Sequence, residues 1–135
     1  MLFYRFISEN LTAYINQTEH EAGNSDYDYL EESDHRTSGI LEGVVNEKGF
    51  FIFPSELFAN VRERASRDEK LNETLERVFR NIENSASGTA AEGTLKGLFD
   101  DLDVNSSKLG PTVLKRNGKL VKLLDAIGDL PLGNF

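Results

Sequence analysis

The feature that most constrains this 135-residue chain is the spacing of its large apolar residues, which recur every three or four positions over most of the length. Such spacing places apolar side chains on one face of a helix, whereas a half-buried strand would alternate apolar and polar residues. The first run consists of Phe3, Phe6, Ile7, Leu11, Tyr14 and Ile15. The chain is therefore expected to be mainly α, with a long N-terminal helix.

Four further runs with the same spacing indicate four more helices. Proline is well tolerated in a first helical turn, so Pro54 is expected to open the second helix. The last helix is expected to run from about Ser106 or Ser107 to Ile127, where Gly128 and Pro131 follow. The apolar faces of these helices cover residues 57–65, 71–82, 95–102 and 109–127.

Two stretches break the helical pattern. Residues 17–47 are rich in Glu, Asp, Ser, Gly and Asn, which predicts a long acidic surface loop; a short helix at residues 38–46 is an alternative. Phe50–Phe53 is an aromatic and β-branched run, which indicates a short buried strand or extended segment. The predicted fold is a bundle of five or six helices with one extended segment and one acidic loop.

The length of the chain suits one domain, which we expect to span residues 1–135. A chain of this length buries enough surface to fold without disulfides or a bound metal. The absence of cysteine excludes zinc fingers, iron–sulfur clusters and thiol nucleophiles. No apolar run reaches the roughly 18 residues that a membrane span needs, and the N-terminus has no recognisable leader. A cytoplasmic protein without a membrane role is therefore expected.

The net charge of −8 is distributed unevenly along the chain. Residues 1–60 hold three basic and eleven acidic residues, residues 61–107 hold seven and ten, and residues 108–135 hold five and two. An acidic protein repels a phosphate backbone on average, and solubility is the ordinary explanation for an excess of acid. Only the basic C-terminal stretch is a candidate for contact with DNA.

The predicted last helix has a basic stripe opposite its apolar stripe. On a wheel of about 100° per residue, the apolar side holds Leu109, Val113, Leu120, Leu124 and Ile127, and the basic side holds Lys108, Lys115, Lys119 and Lys122. The basic side is either the solvated outer face of a core-facing helix or a row of cations that faces phosphates. Gly118, in the middle of this helix, costs about 1 kcal/mol relative to alanine.

Two short patterns suggest a phosphate-binding loop and a catalytic histidine, but each lacks residues that the site needs. Residues 88–93 have the glycine spacing of a phosphate-binding loop, but Thr94 and Leu95 stand where a lysine and a serine or threonine are needed. His20 and His35 are the only histidines, and neither has a recognisable nucleophile motif beside it. We therefore expect no catalytic residues and no cofactor-binding residues in this chain.

A third pattern resembles the start of a calcium-binding loop. Asp101, Asp103 and Asn105 match its first three ligand positions, yet Ser106 stands where the turn needs glycine and Thr112 where a bidentate glutamate is needed. These residue types are also preferred at helix N-termini, so capping is the favoured interpretation. No metal ligands are expected.

Several stretches read together resemble one family. These are LFYRFISENLTAYIN (residues 2–16), KGFFIFPSELFANV (48–61), KGLFDDLDVNSSKLG (96–110) and VLKRNGKLVKLL (113–124). In this order and spacing they resemble the N-terminal helical domain of the modification subunit of type I restriction–modification enzymes. The resemblance covers nearly the whole chain and is weakest over residues 17–46.

This resemblance implies a function that is structural rather than catalytic. In the family, the domain precedes a catalytic domain that transfers a methyl group from S-adenosylmethionine to adenine, and a specificity subunit reads the DNA sequence. The adenine-pocket motif and the cofactor loop of such enzymes are missing here, which implies an excised N-terminal fragment. The domain is expected to help subunits assemble and clamp DNA, with a specificity subunit, a second modification subunit and a restriction subunit as partners.

Within this resemblance, Lys108, Lys115, Lys119 and Lys122 are the expected contacts to the DNA backbone. One alternative is a free-standing helical module that binds a partner protein through its aromatic helix face and has no role with nucleic acid. Another is a small hydrolase that uses loop carboxylates, which the lack of any convergent constellation disfavours.

Overall fold

The computed structural model describes residues 1–100 and 102–131, and within these ranges the chain forms six α-helices and no strand. The helices are α1 (Leu2–Glu21), α2 (Ser38–Lys48), α3 (Phe58–Ala65), α4 (Leu71–Ser85), α5 (Glu92–Asp100) and α6 (Val113–Asp129). Short 3₁₀ turns lie at Tyr29–Glu31, Asp34–Arg36, Pro54–Glu56 and Ser107–Leu109. The predicted mainly α bundle is confirmed. No helix in the described ranges is both long and apolar enough to cross a membrane.

Helix α6 lies at the centre of the packing, because it contacts α1, α3 and α4. Helix α1 also packs on α3, and α5 packs on α4. The apolar faces of these helices close over a single cluster of buried side chains that draws on every helix. Burial of that cluster is the main favourable term in folding a chain without disulfides.

Aromatic rings fill the middle of this cluster. The buried ring of Tyr4 meets Phe58 and Phe79 edge to face, with centroids 5.5 and 5.3 Å apart, and Phe79 stacks on Phe99 at 4.8 Å. The Tyr4 hydroxyl donates a hydrogen bond to the backbone carbonyl of Glu56. Ring geometry and hydroxyl together fix α1 against α3 and α4, since a buried tyrosine needs a partner for its O–H group.

The segment Phe50–Phe53 is extended, as predicted, and it has no partner strand among the described residues. It is held by side chains instead. The Phe51 N–H donates to Ser85 Oγ (2.8 Å), and the Tyr29 hydroxyl donates to the Ile52 carbonyl (2.7 Å). A buried backbone that lacks a sheet partner must find hydrogen bonds elsewhere, and here the neighbouring helix and turn supply them.

The acidic loop is shorter than predicted. Helix α1 continues to Glu21 and α2 occupies residues 38–48, where a short helix was the alternative, so the acidic connection covers residues 22–37. It carries five acidic residues and folds into two 3₁₀ turns around the fully buried Tyr29. The backbone N–H of Tyr29 donates to Asn16 Oδ1 (2.8 Å), which ties the turn to α1. One buried aromatic residue thus orders a segment whose composition suggests a loop.

Two helix starts differ from the prediction. Pro54 opens a 3₁₀ turn, and α3 begins only at Phe58. Helix α6 begins at Val113 rather than near Ser106, because Gly110 has a φ of 152° and is followed by Pro111. A helix cannot pass through that pair, since proline lacks the N–H group and restricts the residue before it. Helix α6 ends at Asp129, two residues beyond the predicted end.

Candidate nucleic-acid interface

Three of the four candidate lysines form a row on α6, and the fourth, Lys108, lies on the turn before it. Lys115, Lys119 and Lys122 lie on α6 at positions i, i+4 and i+7, so they share one face of the helix. Their face is exposed and points away from Leu120 and Leu124, which are 1% and 0% exposed. Lys108 lies on the 3₁₀ turn that packs against α6, so its predicted place on the helix itself is wrong.

No described carboxylate forms an ion pair with any of these four lysines. Their surroundings are also free of acid along the chain, because residues 104–124 contain five basic residues and no aspartate or glutamate. Like charges this close together repel one another in the free protein. The arrangement therefore gains most from an anionic partner, and a phosphate backbone is one such partner.

The start of α6 is rigidly built. The Thr112 hydroxyl oxygen accepts the Lys115 N–H (3.2 Å) and caps the helix, and Arg116 Nε donates to the Gly110 carbonyl (2.7 Å). A side chain at Gly110 would place its Cβ 3.0 Å from the Cβ of Lys115, so the close approach requires glycine. These contacts fix the direction in which the first turn of α6 presents its side chains.

A cluster of three asparagines anchors this region to α4. The Asn72 N–H donates to Asn117 Oδ1 (3.1 Å), and Asn72 Nδ2 donates to Asn105 Oδ1 (2.6 Å). Asn117 Nδ2 donates in turn to the Glu69 carbonyl (3.0 Å). Asn72 and Asn117 are buried, so these bonds replace lost contacts with water, and of their side-chain polar atoms only Asn72 Oδ1 has no hydrogen-bond partner among the described residues. The cluster joins the connection before α6, the start of α4 and the second turn of α6.

The other end of α6 is acidic, and its charge is neutralised within the fold. Arg62 Nε lies 3.1 Å from Asp125 Oδ1, and Arg62 Nη2 lies 2.6 Å from Asp129 Oδ1. The hydrogen bonds that Arg62 donates to Asp129 and Asp125 raise the pKa of its guanidinium. Arg5 Nη1 donates to the carbonyls of Ile127 and Leu130 at 2.6 and 2.7 Å. The positive excess of α6 is therefore confined to its first two-thirds.

The fold also buries one carboxyl group. Glu56 is 6% exposed; its Oε2 accepts a hydrogen bond from Asn81 Nδ2 (2.8 Å), and its Oε1 has no partner among the described residues. Burial raises the pKa of this carboxyl, against the opposing effects of the Asn81 hydrogen bond and of Arg77. Asn81 also lines a groove of about 470 Å³ between α2 and α4, whose walls hold a single carboxylate, Glu42, and no histidine.

Within the described ranges, no three His, Asp or Glu side chains lie close enough to hold a metal ion. Asp101, part of the weak calcium pattern, lies outside the described residues. The Asp103 carboxylate accepts the N–H of Asn105 (3.0 Å), and Ser106 Oγ accepts the N–H of Lys108 (3.2 Å). Both are local turn contacts of the kind expected from capping residues.

The residues that position the interface were not found from the sequence. Arg5 and Arg62 hold the end of α6, and both act over sequence separations that no local pattern reveals. Asn117 gave the one available signal, because it is a polar residue on the otherwise apolar face of α6. A buried asparagine in such a place indicates a specific hydrogen-bond partner.

Comparison with known proteins agrees with this architecture. The chain matches the family described as "HsdM N-terminal domain" over residues 1–127. It is 41% identical to the "Type I restriction enzyme MpnII methylase subunit" of Mycoplasma pneumoniae, with 99% of this chain and 26% of that protein covered. It therefore spans about a quarter of the length of this curated relative.

A solved structure has the same fold. The crystal structure of the type I restriction–modification system methyltransferase subunit from Streptococcus thermophilus superposes with a TM-score of 0.75 at 26% identity. The match covers 99% of this chain and 29% of that one. Because the family match extends over nearly the whole chain, this protein belongs to the HsdM N-terminal domain family.

Proposed function

We propose that this chain, residues 1–135, is the noncatalytic N-terminal domain of the methylase subunit of a type I restriction–modification system, and that it helps close the enzyme around DNA. Its family membership and its relatives of three to four times its length support this proposal. The catalytic part of the complete subunit would transfer a methyl group to adenine in the cytoplasm. Its partners would be a second modification subunit, a specificity subunit and a restriction subunit.

S-adenosylmethionine is the methyl donor implied by this family, and the described residues do not fit it. The cofactor loop of such methyltransferases follows a strand, and residues 1–100 and 102–131 contain none. We assign the cofactor to the catalytic part of the complete subunit. The present chain contributes assembly and contact with DNA. The competing hypothesis of a free-standing interaction module finds no support in the comparisons.

The charge separation along α6 is the observation that carries the DNA role. Lys115, Lys119 and Lys122 on α6, and Lys108 on the turn that packs against it, are exposed and lack carboxylate partners among the described residues. The acidic end of α6 is instead paired with Arg62. A protein of net charge −8 needs such a local excess of cations to approach a phosphate backbone. Contacts of this kind are independent of base sequence, which suits a clamp that leaves reading to another subunit.

A salt titration of duplex DNA binding tests this role. The four-lysine variant, with Lys108, Lys115, Lys119 and Lys122 changed to alanine, is compared with a control in which Arg67, Lys70, Arg80 and Lys96 are changed instead. Both variants lose four exposed positive charges. Each lost phosphate contact lowers the slope of log K against log salt concentration by about 0.9, so the lysine variant should lose a slope of about 3 to 4.

The control variant should keep most of its slope, because its charges lie on α4, on α5 and in the connection before α4. Equal losses in both variants would show that net charge alone governs binding, and the proposed interface would be wrong. Absence of salt-dependent binding in the unmodified chain at low salt would likewise contradict the DNA role. Neither result would alter the family assignment, which rests on the sequence match.

A further inference from the structure

Asn117 is followed by Gly118, and it is the only asparagine of this chain that precedes a glycine. Asparagine deamidates most readily in this dipeptide, because the attacking backbone nitrogen belongs to a residue that has no Cβ to obstruct it. The structure places the dipeptide in the second turn of α6, where Asn117 is 6% exposed. A chemically labile pair of residues therefore lies at a buried position of the fold.

Deamidation begins when the Gly118 nitrogen attacks the side-chain carboxamide carbon of Asn117. The bond from that carbon to Nδ2 breaks, the proton of the attacking nitrogen passes to the leaving group, and ammonia departs. Water then opens the succinimide ring at either of its carbonyl carbons, which leaves aspartate or isoaspartate at position 117. Water is the only co-reactant, so the reaction needs no enzyme.

The folded chain keeps the two reacting groups apart. Asn117 Oδ1 accepts the Asn72 N–H at 3.1 Å, and Asn117 Nδ2 donates to the Glu69 carbonyl at 3.0 Å, so rotation of the carboxamide breaks both bonds. In an α-helix, each backbone N–H is bonded to the carbonyl four residues earlier, and the helical ψ angle holds the next nitrogen away from the side-chain carbon. Ring closure therefore requires the start of α6 to unwind.

The start of α6 has few apolar contacts to resist such unwinding. Asn117 is the only buried residue of this helix before Leu120, whereas Val113 and Leu114 are 50% and 83% exposed. Segments that bury little apolar surface open locally, at a lower free energy than global unfolding requires. Gly118 weakens the helix further, because glycine is unfavourable in a helix interior. The polar contacts of Asn117 are therefore a main restraint on this turn.

We propose that Asn117 is a deamidation site that is protected while the start of α6 is folded and reacts when this turn unwinds. The products do not fit the closed helix. Aspartate at position 117 would place a carboxylate oxygen against the Glu69 carbonyl, and isoaspartate would add a methylene group to the backbone of α6. Deamidation therefore removes the asparagine cluster that holds α6 against α4, and the opened turn cannot return to its original structure.

Peptide mapping by mass spectrometry measures the rate of deamidation at each asparagine, in buffer and in a urea concentration that unfolds the chain. In urea, Asn117 should react faster than any other asparagine. In buffer it should react about a hundredfold more slowly than in urea, because an opened turn that is populated at about 1% reacts only for that fraction of the time. Asn24, which precedes Ser25 in an exposed turn, is the control and should differ far less between the two conditions.

Two variants distinguish local opening of α6 from global unfolding. Thr112→Ala removes the oxygen that accepts the Lys115 N–H and caps α6, so it should raise the rate at Asn117 in buffer about fivefold. Ser85→Ala removes the acceptor of the Phe51 N–H at the other end of α4 from the asparagine cluster. It should leave the rate at Asn117 unchanged, because that contact is not broken when the start of α6 unwinds.

Gly118→Ala tests the chemistry itself, because its methyl group obstructs the attacking nitrogen and should slow the reaction in urea as well as in buffer. Equal rates at Asn117 in the two conditions would show that the fold gives no protection, and the inference would be wrong. Equal acceleration by Thr112→Ala and Ser85→Ala would also overturn it, because only global unfolding would then expose the site. DNA takes no part in these measurements, so their outcome is independent of the proposed function.

Discussion

The two ends of α6 are built on opposite principles, although one buried stripe runs beneath both. At its start, cations lack carboxylate partners among the described residues, and buried asparagines hold the backbone in place. At its end, acidic side chains are paired with Arg62, and Arg5 binds the last carbonyls. The lysines at the start of α6 are therefore available to a ligand, whereas the aspartates at its end are paired within the fold.

This difference shows how an acidic protein can present a cationic surface. Exposed ion pairs contribute little to stability, but they remove acidic groups from competition with an approaching anion. Buried hydrogen bonds, in contrast, position the cationic end without using any of its charges. Four comparisons of variants test whether the two ends are as independent as the structure indicates.

The largest effect is expected in the buried apolar stripe that packs both ends of α6 against the core. Leu120→Ala removes a side chain that is 1% exposed beneath the middle of α6, and it should lower the free energy of unfolding by about 3 kcal/mol. Urea denaturation followed by circular dichroism measures this loss. Leu114→Ala is the control on the same helix and should cost under about 0.5 kcal/mol. Equal costs would contradict the assignment of the buried face.

A smaller loss is expected from the asparagine cluster. Asn117→Ala leaves the buried N–H of Asn72 without its acceptor, so we expect a loss of about 2 kcal/mol in the free energy of unfolding. Asn84→Ala, at an exposed position of α4, provides the comparison and should be near neutral. If Asn117→Ala were also neutral, the start of α6 would be held by packing alone.

Gly118 and Gly128 lie toward opposite ends of α6, so the effect of a glycine-to-alanine substitution on stability can be compared between them. A Cβ at Gly118 meets nothing within 4 Å, so Gly118→Ala should stabilise the protein by up to about 1 kcal/mol through its helix propensity. A Cβ at Gly128 would lie 2.1 Å from Arg62 Nη1, so the arginine must move and its ion pairs weaken. Gly128→Ala should therefore gain less. A comparison of melting temperatures measures the difference, and identical gains would contradict the position of Arg62.

The smallest effect is expected at the ion pairs themselves. Arg62→Ala should cost about 0.5 kcal/mol, because both carboxylates are largely exposed and exposed pairs are weak. That cost should vanish at about 1 M salt, where the Debye length falls to about 3 Å. Arg67→Ala, an exposed arginine without an ion pair among the described residues, should show neither the cost nor the salt dependence. A cost that persists at high salt would mean that Arg62 acts by packing.

Local patterns predicted five of the six helices, because each of those five repeats its apolar spacing over two or more turns, whereas α2 lies in the stretch predicted as an acidic loop. Leu120 and Leu124 are buried as expected, but Val113, the first residue of α6, is half exposed. The predicted start of α6 is too early, because the apolar spacing continues through Gly110 and Pro111 whereas the helix does not. That glycine–proline pair, followed by a threonine suited to capping, was a visible signal for a break.

The parts of the interface that the sequence did not reveal depend on distant contacts. Asn72 and Asn117 are 45 residues apart, and Arg5 reaches carbonyls more than 120 residues away. Periodicity reports which side of a helix faces the core, but it does not report which helix lies opposite. The exposure of the lysine row followed from spacing alone, and its contact with DNA remains a prediction.

The hydrogen bonds from Arg5 to the carbonyls of Ile127 and Leu130 have a consequence for engineering. They bring the beginning of the first helix and the end of the last one within a single side chain's reach, so a short flexible linker would join residues 1 and 131. New termini could then be opened at the exposed turn of residues 22–26, which suits such a cut. A circular permutant of this kind would keep the bundle and place both chain ends at residues 22–26, where a probe could be attached.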